Sequence, residues 1–547
     1  MTPGEHAALK VDVPADAPSS TPIRLLDFLV IGLLALTGVV VVTGGLPPGS
    51  ARPWLGRAED VLVAAMVVAA VRHLWWPYGW RPRAPRRLVV VGVVAYVAIM
   101  GFITISRHFN LRTHAVDLAA YDQMVWGIAT RGVPWSSLLE LHGLGDHFTV
   151  VLYLMAPLYW LAPSVVAMLF VQCVALALGA FAVWGLGRRL LDDDRLAALV
   201  ALLFLVNPSL HGLNLRDFRP QAFAIPLLLA ALYFFEAKRP PLYWAAVVLT
   251  ASTREDATLP LLGLGVWALA VRRRPWTGAI TSVFAVTWLL VVTRWAIPFF
   301  RGEAYVHLWR WGHLGGSVDA ILLGMLTHPG EVLAFVFRPE CVRYLLAMLA
   351  PWAFLPLLGP LALVPALPPL AVNVLSVDPI LLHHRTQYTG YLLPFLALAA
   401  IAGVRRLGTW RSDRAVQLAL GLAFAVSIAL TARTVNDLMV NRWWPDARTR
   451  DVHALVAMVP PRAVVGAEER VVPHLAHRPQ VYIFPHRLAD CEWVLINTGP
   501  GSEYSFKEHT VERAGSRVVF RSTSGATDPF TVVAERGPLL LLARRPG

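Results

Sequence analysis

The chain has 547 residues, 56% of them hydrophobic and only 15% charged, with 3 cysteines and a formal net charge of +13. Soluble domains hold about 45–50% apolar and about 25% charged residues. The composition therefore excludes a disordered chain, a secreted disulfide scaffold and an ordinary cytosolic enzyme, and leaves a polytopic membrane protein. The basic residues fall in short clusters between apolar runs, a pattern that sets membrane orientation and gives no ground for a nucleic-acid partner. Cys173, Cys341 and Cys491 are scattered and odd in number, so no metal or disulfide framework follows from them.

Residues 1–22 are polar and rich in Ala, Pro and Ser, as in a disordered cytoplasmic tail. Apolar runs follow near 25–43, 60–77 and 87–105, and residues 23–105 read as three N-terminal transmembrane helices. Residues 106–163 form a first large outer loop. Within it, 149–161 is apolar but cannot cross without breaking the charge pattern, so it is expected as a helix lying in the interface. Further runs near 164–187, 195–209, 220–236, 241–253, 257–271, 277–298, 343–358, 360–376, 388–403 and 414–432 bring the count to about thirteen and make 164–433 a helix bundle. Arg81, Arg83, Arg86 and Arg87, then Arg188, Arg189 and Arg195, Lys238 and Arg239, Arg272 to Arg274, and Arg405, Arg406, Arg411 and Arg414 all fall on one side if the N-terminus is inside. From 445 to 547 the pattern changes to short β-type runs (463–465, 481–484, 493–496, 518–520, 539–542) with a helix-like EERVVPHLA between the first two. This predicts a small extracytoplasmic α/β domain.

Membrane proteins keep ionisable groups where function needs them. Five such clusters fall on the outer face: Asp117 and Asp122; His142, Asp146 and His147; His211, Arg216, Asp217, Arg219 and Gln221; Arg254, Glu255 and Asp256; and Asp378, His383, His384, Arg385 and Tyr388. If 115–126 is helical, Asp117, Tyr121 and Met124 share a side and Asp122 lies off it. Taken singly, each acid reads as a cap or a solvated charge, each Arg as a headgroup anchor and each His as locally satisfied. Their convergence is what suggests one polar cavity. LDDDR (191–195) is expected as an inner turn and helix cap. Walker A, GxGxxG and HExxH motifs are absent, which argues against a nucleotide-driven pump. The lack of mid-span acids and bases argues against a proton-coupled transporter.

The segments VDLAAYDQMVWGIATRG, GDHFTVVLYLMAPLYWL, RDFRPQAFAIPLLLAALYFFE, TREDATLPLLGLGVWAL, HHRTQYTGYLLPFLALAA and PHLAHRPQVYIFP resemble, in this order, a bacterial membrane-protein family called domain of unknown function 2079. The resemblance runs from about 90 to 500, and Arg219 and Gln221 stand where that family usually has His and Glu. The family's architecture is similar to the GT-C membrane glycosyltransferases. That similarity implies an all-α polytopic bundle with an essential outer acid, a place that Asp117 occupies, and a sugar donor carried on a polyprenyl phosphate.

The expected activity is inverting sugar transfer to an extracytoplasmic acceptor in the cell envelope, with Asp117 as base. Arg219, Arg254 and Arg385, with Tyr121, Asp122 and Asp217, are candidates for holding substrate and phosphate. His147, Glu255, Asp256 and His384 are candidates for orienting substrate or binding a divalent cation. The alternatives are a transporter or flippase, and an envelope sensor or assembly protein with an outer binding domain.

Overall fold

The computed structural model describes residues 21–44, 57–79, 82–500, 502–503, 509–522, 525–526 and 529–544. Nearly all of the expected N-terminal tail, and Arg81, lie outside the described residues.

The protein is mostly helical. Among the described residues, five helices are long and apolar enough to cross a membrane: Thr21–Thr43, Pro85–Phe109, Val165–Leu191, Pro275–Arg301 and Asp413–Leu430. Two bent pairs raise the number to seven. One of them, Asp194–Leu205 with Pro208–Asn214, is the expected run near 195–209 bent by 44°. The bend falls at Asn207-Pro208, where proline lacks the N–H that a continuous helix needs. Asn207 Oδ1 accepts the Ser209 N–H at 2.9 Å and starts the second piece.

The other expected spans are shorter helices or strings of them. The runs near 343–358 and 360–376 divide into Pro339–Leu349, Ala350–Trp352, Leu355–Leu358, Pro360–Ala366 and Leu367–Val374. Pro351, Pro356, Pro360 and Pro365 interrupt them. The second bent pair, Val318–Thr327 and Pro329–Val336 at 93°, lies inside the expected outer loop 299–342. Its Leu322, Leu323, Leu326 and Leu333 are exposed, a surface suited to the interface. The 149–161 segment is helical as Val150–Met155 and Ala156–Leu161 and turns Trp160 and Leu161 outward.

The chain's two ends of the bundle are distinct. His108 and Arg433 lie near helix ends, and Asp217 and Arg385 in loops, on one side of the bundle; Leu191, Asp193, Arg411 and Asp413 lie at the opposite helix ends.

Beyond the helix Ala447–Val456 the chain forms a mixed sheet. Val481–Ile483 and Trp493–Asn497 flank Val465–Ala467 in parallel. Leu539–Arg544, Phe530–Arg536, Arg517–Ser522 and His509–Ala514 then extend the sheet in antiparallel order. The helix expected over EERVVPHLA is only a turn, Val472–His474, because Pro473 stops propagation. This region shares a core with the first loop: Ala115 and Ala119 pack in one cluster with Val472, Leu475 and Leu495.

Candidate active site

Asp117 sits on a π-helical turn, Ala115–Ala119, just before the helix Ala120–Arg131. Such widened turns recur at functional sites because they re-aim a side chain. The carboxylate forms an ion pair with Arg219 Nη2. Arg219 is held by its backbone, whose N–H donates to Gln172 Oε1 at 2.8 Å, while Gln172 Nε2 donates to the Asp217 carbonyl at 2.8 Å. Asp217 adopts φ +65° and receives the His114 N–H at 3.1 Å. Burial raises its carboxyl to about 6, against the opposing pull of His114 and Arg107.

Three more guanidinium groups gather here. Arg216 feels the charges of Arg219, Arg433, Asp117 and Asp217, and Arg385 feels Arg433. Arg385 donates to the Leu430 carbonyl at 3.0 Å. Arg216 and Arg433 make no ion pair among the described residues, and Arg219 Nε is buried without a hydrogen-bond partner. The result is a basin with four cations around two carboxylates, a field that attracts an anion such as phosphate. Sequence reasoning placed Arg216 in a cluster but assigned it no role, and it missed Arg433. The available signal was a basic residue just past the last span on the face that should lack them.

A second group forms around Arg254, Glu255 and Asp256. Glu255 is fully buried; it bonds His147 Nδ1 at 2.8 Å, accepts the Phe148 N–H at 3.1 Å and accepts the Tyr305 hydroxyl at 3.0 Å. Burial opposes its ionisation, but His147 and Arg254 outweigh burial and hold the carboxyl well below its usual range. Asp256 accepts the Tyr391 hydroxyl at 2.6 Å and lies 3.3 Å from Arg254 Nε.

Asp146, His147 and His307 bring three ligand atoms within 4.8 Å of one another. His147 and His307 stack at 4.4 Å, and His307 Nε2 is buried with no hydrogen-bond partner. Glu255 occupies Nδ1 of His147 and leaves Nε2 for a metal, the usual carboxylate–histidine support. Two imidazoles and a carboxylate suit a divalent cation such as zinc. Neither Asp146 nor His307 was among the residues given a role from sequence.

Tyr121 lies within electrostatic reach of both groups. The charges of Arg254, Asp146, Arg219 and Asp117 all act on its hydroxyl. The residues expected to converge form two groups, Asp117, Asp217, Arg219 and Arg385 in one and His147, Arg254, Glu255 and Asp256 in the other, and charges from both act on Tyr121. His384 stands apart from the Asp146 group, stacked on His383, and burial with the Arg385 charge lowers it to about 4. Asp122 is turned elsewhere: it is 1% exposed and engaged by the Tyr159 hydroxyl and by His477 Nε2 at 2.9 Å.

The fold is that of a mostly helical protein with several helices long and apolar enough to cross a membrane. The crystal structure of ArnT from Cupriavidus metallidurans bound to undecaprenyl phosphate is similar, with a TM-score of 0.50 at 15% identity over 83% of this chain and 97% of that one. The apo structure of the same protein gives 0.48 at 14% identity over the same shares. No curated protein matches the chain. The chain belongs to the family described as "Predicted membrane protein (DUF2079)", whose profile matches residues 107–522. The helices Thr21–Thr43 and Ala58–Trp75 precede the matched region.

Proposed function

We propose that the protein is a membrane glycosyltransferase that moves a sugar from a polyprenyl-phosphate donor to an extracytoplasmic acceptor with inversion. The observation that carries this reading is the basin in which the Asp117 carboxylate faces Arg219 beside Arg216, Arg385 and Arg433. The GT-C fold shared with ArnT, a protein crystallised with undecaprenyl phosphate, supports it.

The donor phosphate binds the guanidinium groups and competes for Arg219, which frees a carboxylate oxygen of Asp117. The acceptor hydroxyl oxygen then attacks the anomeric carbon. The bond from that carbon to the phosphate oxygen breaks, Asp117 takes the hydroxyl proton, and polyprenyl phosphate leaves as an anion stabilised by the arginines. Asp146, His147 and His307 would hold a divalent cation, which would supply further positive charge beside the substrate. Arg254 and Asp256 fix Tyr391 and Glu255, and Asp122 braces the helix behind Asp117. The Asp117 face and the C-terminal sheet are extracytoplasmic.

The test is Asp117→Asn in purified protein that melts like the parent, assayed with a polyprenyl-phosphate sugar. Transfer falls by about 10²–10⁴-fold, the range for loss of a general base. Undiminished transfer would overturn the assignment.

A further inference from the structure

The end of the bundle away from Asp117 contains a cavity of about 1230 Å³ whose lining residues come from six helices and the turns beside them. Two of these, Thr21–Thr43 and Ala58–Trp75, lie outside the family's matched region. We propose that this cavity is a binding groove for an anionic phospholipid of the leaflet on that face, with the headgroup phosphate held by Arg195, Arg405 and Arg411.

The groove has a built frame. Arg72 Nε donates to Asp27 Oδ1 at 2.7 Å, and the Tyr78 ring lies 3.9 Å from the Arg72 Cζ. His73 is 2% exposed; its Nδ1 accepts the Tyr78 N–H at 2.9 Å, so its Nε2 carries the proton and donates to the Gln417 carbonyl at 2.9 Å. Gly421 permits this clasp, because a Cβ there would meet His73 Nε2 at 2.0 Å. Ala58–Trp75 is thereby fixed directly to Asp413–Leu430 beside the cavity.

The lining is divided by chemistry. Leu34, Met66, Leu199, Leu420, Phe424 and Ile428 make an apolar wall. From Val416 to Ile428 this wall extends about 18 Å along one helix at about 1.5 Å per residue, more than half of a hydrocarbon core about 30 Å thick. A free phosphate or a nucleotide would leave that wall wet, whereas a lipid chain covers it.

Arg195, Arg405 and Arg411 line the mouth and form no ion pair among the described residues. Asp192, Asp193 and Asp413 share it. Asp193 Oδ1 is occupied as a helix cap, accepting from the Arg195 and Leu196 N–H groups at 2.7 and 3.0 Å. Asp413 lies in the first turn of its helix, where the dipole favours an acid. Arg195, Arg405 and Arg411 thus keep their guanidinium donors free of ion pairs among the described residues, with Asp192, Asp193 and Asp413 beside them at the mouth. Basic pockets between membrane helices on the cytoplasmic side bind anionic headgroups, and the positive-inside rule assigns this face to the cytoplasm.

The test is native mass spectrometry of the delipidated full-length protein, offered phosphatidylglycerol or phosphatidylcholine with the same acyl chains. One phosphatidylglycerol adduct is expected, favoured about tenfold or more over phosphatidylcholine. Substituting Arg195→Gln, Arg405→Gln and Arg411→Gln together removes that preference while leaving the melting temperature in detergent unchanged. Ala69→Phe, which fills the groove, lowers binding of both lipids. Equal binding of the two lipids by the parent would overturn the proposal, as would a triple variant that still prefers phosphatidylglycerol, or displacement of the lipid by inorganic phosphate alone. Asp117→Asn retains the adduct, so failure of the transfer mechanism and failure of the groove are separate outcomes.

Discussion

Gly212 shows how a single residue sets the arginine basin. A Cβ at Gly212 would lie 2.4 Å from Arg385 Cβ. Gly212→Ala must push the Arg385 segment outward, at a cost of about 1–3 kcal/mol for overpacking, read as a lower melting temperature together with weaker binding of the lipid-phosphate donor. Asp217 gives a pH prediction. Its folded value, about 6, lies above its ordinary value of 3.8. The folded protein then binds the proton more tightly than the unfolded chain, so stability declines as pH rises from about 4 to about 6 and is level above that. Melting curves across that range check the sign, and Asp217→Asn flattens the slope. His307→Ala removes one of three close ligands, so metal analysis of purified protein is expected to give zinc in the parent and little in the variant.

At the scale of elements, the first loop and the C-terminal sheet are locked by Gln123. This fully buried side chain donates to Ser137 Oγ at 2.9 Å and to the Arg478 carbonyl at 3.0 Å, and accepts the Ser137 N–H at 2.9 Å. Ser137 Oγ in turn donates to the Val481 carbonyl at 2.9 Å. Gln123→Leu leaves several buried partners unsatisfied, each at about 1–3 kcal/mol. Faster proteolytic release of the segment after 445 is the expected result. The exposed pair of Glu140 with Arg487, at 2.7 Å, contributes far less, and Glu140→Gln should leave the cleavage rate nearly unchanged.

For the whole molecule, the C-terminal sheet is part of the site's support. Ala115 and Ala119, which flank Asp117, are buried against Val472 and Leu475. His114 lies 3.3 Å from Glu469. Deleting 445–547 exposes this apolar surface and loosens the π-turn, so on the proposed function it is expected to lower transfer even though Asp117 remains. Loss of function on that deletion therefore does not favour a sensor over an enzyme. Sidedness is tested directly, since the three native cysteines are buried and free. In the otherwise unchanged protein, Glu303→Cys should react with an impermeant reagent from outside the cell and Ser412→Cys only after the membrane is opened. The reverse pattern would invert the topology.

Composition and charge patterning were enough to set a membrane protein, and the ordered segments from VDLAAYDQMVWGIATRG to PHLAHRPQVYIFP were enough to set its family. The reason is that the hydrocarbon core penalises every misplaced charge, so the sequence must record depth and side. The helices Thr21–Thr43, Val165–Leu191 and Asp413–Leu430 were readable for that reason. Only the tertiary structure decided which charges meet. Asp117 and Arg219 are 102 positions apart, and Asp146 and His307 are still more distant in sequence. Their contact depends on how bent helices and interfacial turns pack, and hydropathy carries no record of it. The sheet strands His509–Ala514 and Phe530–Arg536 were missed because their alternation is weak and partly polar. The groove opposite the active face was equally hidden, because it is space left between helices, and no residue pattern encodes a space.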